Sequence, residues 1–154
     1  MIEFVMGIDP GAKGAVGLIS LDKKHHEVYD TPADIPSMAQ LILDIEEEHR
    51  IVLCAIEDVH AMPKQGVVSM FNFGRNVGAW LGILSGARIP YLQVRPQEWQ
   101  KVCLYGKKGE TKERSLTQAR ELYPDLDLKL KKHDGRADAM HLANYAIIQM
   151  RGEK

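Results

Sequence analysis

The chain has 154 residues, 45% of them hydrophobic and 27% charged, with a formal net charge of −1. That length suits one domain, residues 1–154, built around one sheet, and the composition is too apolar for a disordered chain. No apolar run approaches the ~18–20 residues of a membrane span, no signal-peptide pattern opens the chain, and Cys54 and Cys103 are too few for a disulfide framework or a four-cysteine zinc site. The expectation is a cytoplasmic enzyme or binding module with no membrane partner.

Glu3 to Asp9 reads as a strand, Pro10 to Gly14 as a turn and Ala15 to Leu21 as a second strand, making a hairpin. His26 to Asp30 is a short third strand. Ser37 to His49 has helical spacing at Met38, Leu41, Ile42 and Ile45, with a solvated acidic end. Ile51 to Ile56, rich in β-branched residues, is a buried strand covered on both faces, and it places Cys54 in the core. After a loop at 60–66 comes a long helix, Ser69 to Gly86, then a strand from Ile89 to Val94 whose Pro90 suits a first position or an edge. A short helix starts near Pro96. Thr111 to Leu122 is a helix with Thr111 as its possible cap, and Asp134 to Met150 is the last helix. Strands first, then alternating helices and strands, predict an α/β domain with a mixed five-stranded sheet and helices on both faces.

Gly74, Gly78, Gly82 and Gly86 recur every four residues along the long helix. Each glycine costs ~0.8–1 kcal/mol of helix propensity relative to alanine, so the stripe needs a compensating contact. Tight packing inside the domain and a helix-to-helix subunit contact both supply one, with Phe71, Phe73, Trp80 and Leu81 flanking the groove or filling the core.

Charge is uneven: residues 1–94 hold 7 Lys+Arg against 12 Asp+Glu, and residues 95–154 hold 13 against 9. A basic half beside an acidic half suits a protein that binds a polyanion, and suits a neutral enzyme with solvated charges as well. Asp9 closes an apolar strand, Glu57 closes the most hydrophobic one, and Asp134 and Asp138 lie one turn apart at the start of the last helix. Singly, Asp9 serves as a turn residue, Glu57 as a paired strand-end charge and Asp134 as a helix cap. Jointly they point to a metal site. Buried carboxylates repel and cost several kcal/mol to desolvate unless cations neutralise them, and hard divalent ions bound by oxygen do so. Two such ions ~3.5–4 Å apart stabilise both the attacking and the leaving oxygen of a phosphoryl displacement.

Gly7-Ile8-Asp9-Pro10-Gly11, Ala55-Ile56-Glu57 and His133-Asp134-Gly135-Arg136-Ala137-Asp138-Ala139 resemble, in order and over about residues 3 to 148, the RuvC family of Holliday junction resolvases, in its bacteriophage branch. The resemblance implies a ribonuclease H-like fold, a homodimer, and Mg²⁺-dependent nicking of four-way DNA junctions, with two ions per site and Mn²⁺ as a substitute. It assigns metal-binding and catalytic roles to Asp9, Glu57 and Asp138. The family's fourth acid falls at Gly135, so Asp134 takes that role by sharing a helix face with Asp138, with His133 and His141 as substitutes. The stripe at Gly74, Gly78 and Gly82 becomes the dimer contact. Lys107, Lys108, Lys112 and Arg114 around a basic glycine-containing loop, and Lys132 and Arg136 beside the acids, become DNA contacts. Met62, Phe71 and Phe73 are candidates to wedge into unstacked bases. A branched-DNA nuclease cutting forks or flaps and a non-catalytic junction-binding module are the alternatives.

Overall fold

The computed structural model describes residues 1–60, 64–104 and 109–152. Met62, Lys107 and Lys108 therefore lie outside the described residues. Five strands, β1 (Ile2–Asp9), β2 (Ala15–Ser20), β3 (His26–Asp30), β4 (His49–Glu57) and β5 (Tyr91–Val94), form one mixed sheet in the order β3-β2-β1-β4-β5. The first three are antiparallel neighbours, whereas β1, β4 and β5 run parallel. The helices are α1 (Ile35–Glu48), α2 (Val67–Gly86), α3 (Pro96–Cys103), α4 (Thr111–Leu122) and α5 (Asp134–Arg151), with a 3-10 turn at Lys131–His133 that the sequence reading missed.

Period-two alternation divides the core between the faces of the sheet. Phe4, Met6, Ile8, Cys54 and Ile56 pack with Met38 and Ile42 of α1 and Trp80 and Leu84 of α2. Val5, Ala55 and Val94 pack with Trp99 of α3, Leu116 of α4 and Ala137, Met140 and Leu142 of α5. Both faces are covered, as expected. Helix α5 lies so close to β1 that a Cβ on Gly7 would collide with Ala139 O and Ala143 N.

Four local expectations are corrected. The strand expected from Ile89 begins at Tyr91, since Pro90 has no N–H to give the ladder; its carbonyl accepts the Cys54 N–H at 2.9 Å. Thr111 is the first helical residue of α4, not its cap; Glu110 stands at the cap position. Asp134 likewise opens α5 as its first residue, with His133 at the cap position. The glycine stripe does not pack inside the domain. Gly74, Gly78, Gly82 and Gly86 have no neighbour within 4 Å of a would-be Cβ, while Trp80 turns inward and is fully buried. Phe71, by contrast, is 69% exposed. Among the described residues no helix is long and apolar enough to cross a membrane.

Candidate active site

Ile8 pairs with Ile56, so Asp9 and Glu57 are the next residues along the ends of adjacent parallel strands. Both continue the alternation that points Val5 and Ala55 toward α5. From α5, Asp138 meets them, with Asp134 one turn earlier. The site thus lies outside the carboxyl ends of the central parallel strands, where open α/β sheets bind ligands.

The carboxyls sense one another. Burial holds Asp138 well above the ordinary aspartate range; the Ser115 hydrogen bond opposes this, and the charges of Asp9, Glu57 and Asp134 reinforce it. Burial pushes Glu57 up to about 7 against the pull of a Trp99 hydrogen bond, and Asp9 adds to the rise. Asp9 is also raised, first by burial, with its Gly11 hydrogen bond opposing, Asp134 raising it and Lys112 lowering it. Lys112 Nζ lies 3.7 Å from Asp134 Oδ2.

Three of the four acids are held by a protein hydrogen-bond donor. Gly11 N–H donates to Asp9 Oδ1 at 3.1 Å, Trp99 Nε1–H to Glu57 Oε2 at 2.6 Å, and Ser115 Oγ–H to Asp138 Oδ1 at 2.5 Å. Among the described residues no three His, Cys, Asp or Glu side chains are grouped closely enough to cage an ion as they stand. The donor set is nonetheless suited to a hard divalent cation: it is all oxygen, largely buried, and held in mutual repulsion. Asp9, Glu57 and Asp138 would hold such an ion, with Asp134 at the rim.

The mixed sheet with helices on both faces has known counterparts. Thermus thermophilus RuvC matches with a TM-score of 0.69 at 22% identity, over 97% of this chain and 96% of that one. The same protein in complex with Holliday junction substrate matches at 0.66. The yeast mitochondrial Holliday junction resolvase Ydc2 matches at 0.53 and 17% identity, over 93% of this chain and 78% of that one. The chain has a RuvC-type, ribonuclease H-like fold. No family model matches the sequence. In sequence, 89 residues, 56% of this chain, are 35% identical to the chloroplastic Holliday junction resolvase MOC1 of Chlamydomonas reinhardtii. The matched region spans 10% of the length of MOC1.

Gly135, where the resemblance puts its fourth acid, leaves no room for a side chain. Gly135 faces the β1–β2 turn, where a Cβ would collide with Lys13 O and stand 3.1 Å from Gly14 Cα. No side chain fits there unless the turn that follows Asp9 moves. Gly135→Asp is therefore expected to lower the melting temperature markedly rather than add a ligand; a variant that melts with the parent chain overturns this account.

Neither histidine is arranged as a substitute ligand. His133 Nδ1 accepts the Leu130 N–H at 3.2 Å. His141 Nε2 lies 2.9 Å from Ser115 O, and because a carbonyl only accepts, Nε2 carries the proton. Burial pushes this imidazole down to about 4, keeping it neutral.

The expected DNA contacts divide. Lys112 and Lys132 are exposed, whereas Arg114 turns inward and donates to Leu104 O at 3.0 Å. Arg136 grips Asp30 through Nε at 2.7 Å and Nη2 at 2.9 Å, and donates to Asp127 O at 2.9 Å. Each of these two arginines thus ties its helix to a neighbouring segment of the chain. Trp99 and Ser115 escaped sequence reasoning, and His141 entered it only as a substitute ligand: a tryptophan, a serine and a core histidine carry no spacing signal that ties them as supports to carboxylates far away in the chain.

Proposed function

We propose that the protein is a divalent-metal-dependent DNA endonuclease that resolves four-way junctions by paired symmetric nicks, acting as a homodimer. The observation that carries this reading is the meeting of Asp9, Glu57 and Asp138 at the strand ends of a RuvC-type fold, each carboxyl raised above its ordinary range by burial and by the charge of its neighbours. The likeness of 89 residues to a Holliday junction resolvase supports the substrate class.

Bound divalent ions, Mg²⁺ or Mn²⁺, would supply charge stabilisation to the attacking and leaving oxygens of phosphodiester hydrolysis. The chain's own contribution is to fix the carboxylates. Asp9 and Glu57 ride on rigid neighbouring strands, and Asp138 on a helix clamped to β1. Asp134 and Lys112 pair at the entrance. Lys112, exposed beside Asp134, would meet a phosphate there, and Lys132 would add sequence-independent affinity. The solvent-facing stripe of Gly74, Gly78 and Gly82 offers a close helix-to-helix contact between protomers, and a two-fold dimer suits a junction whose opposed strands are related by two-fold symmetry.

The test is cleavage of labelled four-way junction, Y-fork and linear duplex, with Mg²⁺ and with chelator. Paired symmetric nicks confined to the junction and lost with chelator are expected. Equal cutting of the fork would make the protein a broader branched-DNA nuclease, and tight binding without cutting would make it a junction-binding module.

A further inference from the structure

Two of the acids are held by donors from two different helices, and those donors converge on one buried residue. Trp99 of α3, fully buried, donates its indole N–H to Glu57. Ser115 of α4, also fully buried, donates its hydroxyl to Asp138. His141 of α5 touches both supports. Its ring stacks on the Trp99 indole with centroids 5.8 Å apart and planes 14° apart. Its Nε2–H donates to the carbonyl of Ser115 at 2.9 Å, and its own carbonyl receives Cys103 Sγ from the end of α3 at 3.5 Å.

A residue chosen only to fill this space would be apolar. His141 is completely buried, and among the described residues its Nδ1 has no partner. An unpaired buried polar atom is costly to the fold. What a leucine there would not provide is direction: a flat ring to set the plane of the indole and an N–H to fix the turn of α4 that carries Ser115.

We propose that Trp99, His141 and Ser115 form one positioning bridge that fixes the Glu57 carboxylate relative to that of Asp138, so that the two acids close on a metal ion as a unit. None of the three touches substrate; they act through the acids. The bridge rests on the reading of those acids as a metal site. Outer partners of this kind typically change metal affinity or activity about 10–100-fold when removed.

The test is a double-mutant cycle on the full chain, read by Mg²⁺ titration without DNA. The indole N–H resonances serve as the signal. Trp80 Nε1 is buried without a partner and Trp99 Nε1 is bonded to a carboxylate, so the two resonances are separable. Ser115→Ala is expected to shift the Trp99 resonance, although the serine and the indole belong to different helices, and to raise half-saturating Mg²⁺ on the order of ten-fold. His141→Phe, which keeps a ring and removes the N–H, should do the same. Trp99→Phe combined with Ser115→Ala, followed by cleavage at varied Mg²⁺, should weaken metal response by clearly less than the product of the single effects. Junction affinity in chelator should stay within about two-fold of the parent, showing that the variants are folded.

Effects of Trp99→Phe and Ser115→Ala that multiply, in a parent chain that responds to Mg²⁺, overturn the bridge and leave the metal site standing. A parent chain whose Trp99 resonance and cleavage both ignore Mg²⁺ overturns the metal site, and the bridge with it.

Discussion

Asp138→Asn should leave junction binding intact, reduce cleavage by about a thousandfold or more, and raise the melting temperature of the metal-free protein at pH 8. The three outcomes have one cause. The amide has the shape of the carboxyl, and its oxygen still accepts the Ser115 hydroxyl, so packing and hydrogen bonding survive. What disappears is a charge that burial disfavours and that Asp9, Glu57 and Asp134 repel. Removing it relieves the apo protein and deprives the metal site of a ligand. Loss of several kcal/mol of transition-state stabilisation, at ~1.4 kcal/mol per tenfold in rate, gives the thousandfold figure. Asp138→Ala provides the contrast, because it also orphans the buried Ser115 hydroxyl and should be about 1–3 kcal/mol less stable than the asparagine variant. Gel assays with Mg²⁺ and melts in chelator measure both. Cleavage within ten-fold of the parent chain would remove Asp138 from the site. A lower melting temperature for the asparagine variant would mean that the charge is welcome where it stands.

The parts of this arrangement that follow from period and punctuation were legible in the sequence. An acid closing an apolar strand, as Asp9 and Glu57 do, announces a strand end at which a charge is needed. The i to i+4 spacing of Asp134 and Asp138 announces a shared helix face. That reading placed five strands in order, and the structure changes their ends by a few residues at most. The outward-facing glycines of α2 were ambiguous for a physical reason. A small-residue stripe says that close approach is possible, not what approaches, and only the burial of Trp80 and Leu84 on the other side reveals which face is used. The supports of the acids were not legible, because Trp99 and Glu57 are joined by the parallel crossover through α2 and β5 rather than by spacing. The pairing of Arg136 was not legible for a related reason. Its partner Asp30 lies 106 residues away in sequence, and a local count of lysines and arginines cannot see that its charge is already matched.

In chelator the protein should lose stability as the pH rises from about 4.5, most steeply above 6.5, and Mg²⁺ should remove that loss. Two opposing contributions set the slope. The acids are the first. Glu57 is raised from 4.5 to about 7 by burial, and Asp9 and Asp138 are raised as well. Between the unfolded and folded values the native state holds protons that the unfolded chain has released, so stability falls as pH rises through that window. For Glu57 alone this amounts to about 2–3 kcal/mol, trimmed because part of the carboxylate reaches solvent. His141 is the second, and it acts in the opposite sense. Burial lowers it from 6.5 to about 4, so the unfolded chain binds the extra proton and stability rises with pH between those values. From about pH 4.5 to 6.5 the histidine offsets only one of the three carboxyls, so the fall is shallower there than above that range, where only the carboxyls remain. Divalent ions bind the ionised carboxylates of the native state, adding ~1.4 kcal/mol at ten times the dissociation constant and more at higher concentration. Thermal melts from pH 4 to 8.5, with chelator and with 10 mM-order Mg²⁺ (about the level needed for ten-fold excess over a millimolar site), measure the difference. Asp138→Asn should flatten the fall, and His141→Phe should steepen it between about pH 4.5 and 6.5. A parent chain in chelator whose melting temperature stays level or climbs from pH 6.5 to 8.5 would mean that the three carboxyls do not share one buried, repulsive site.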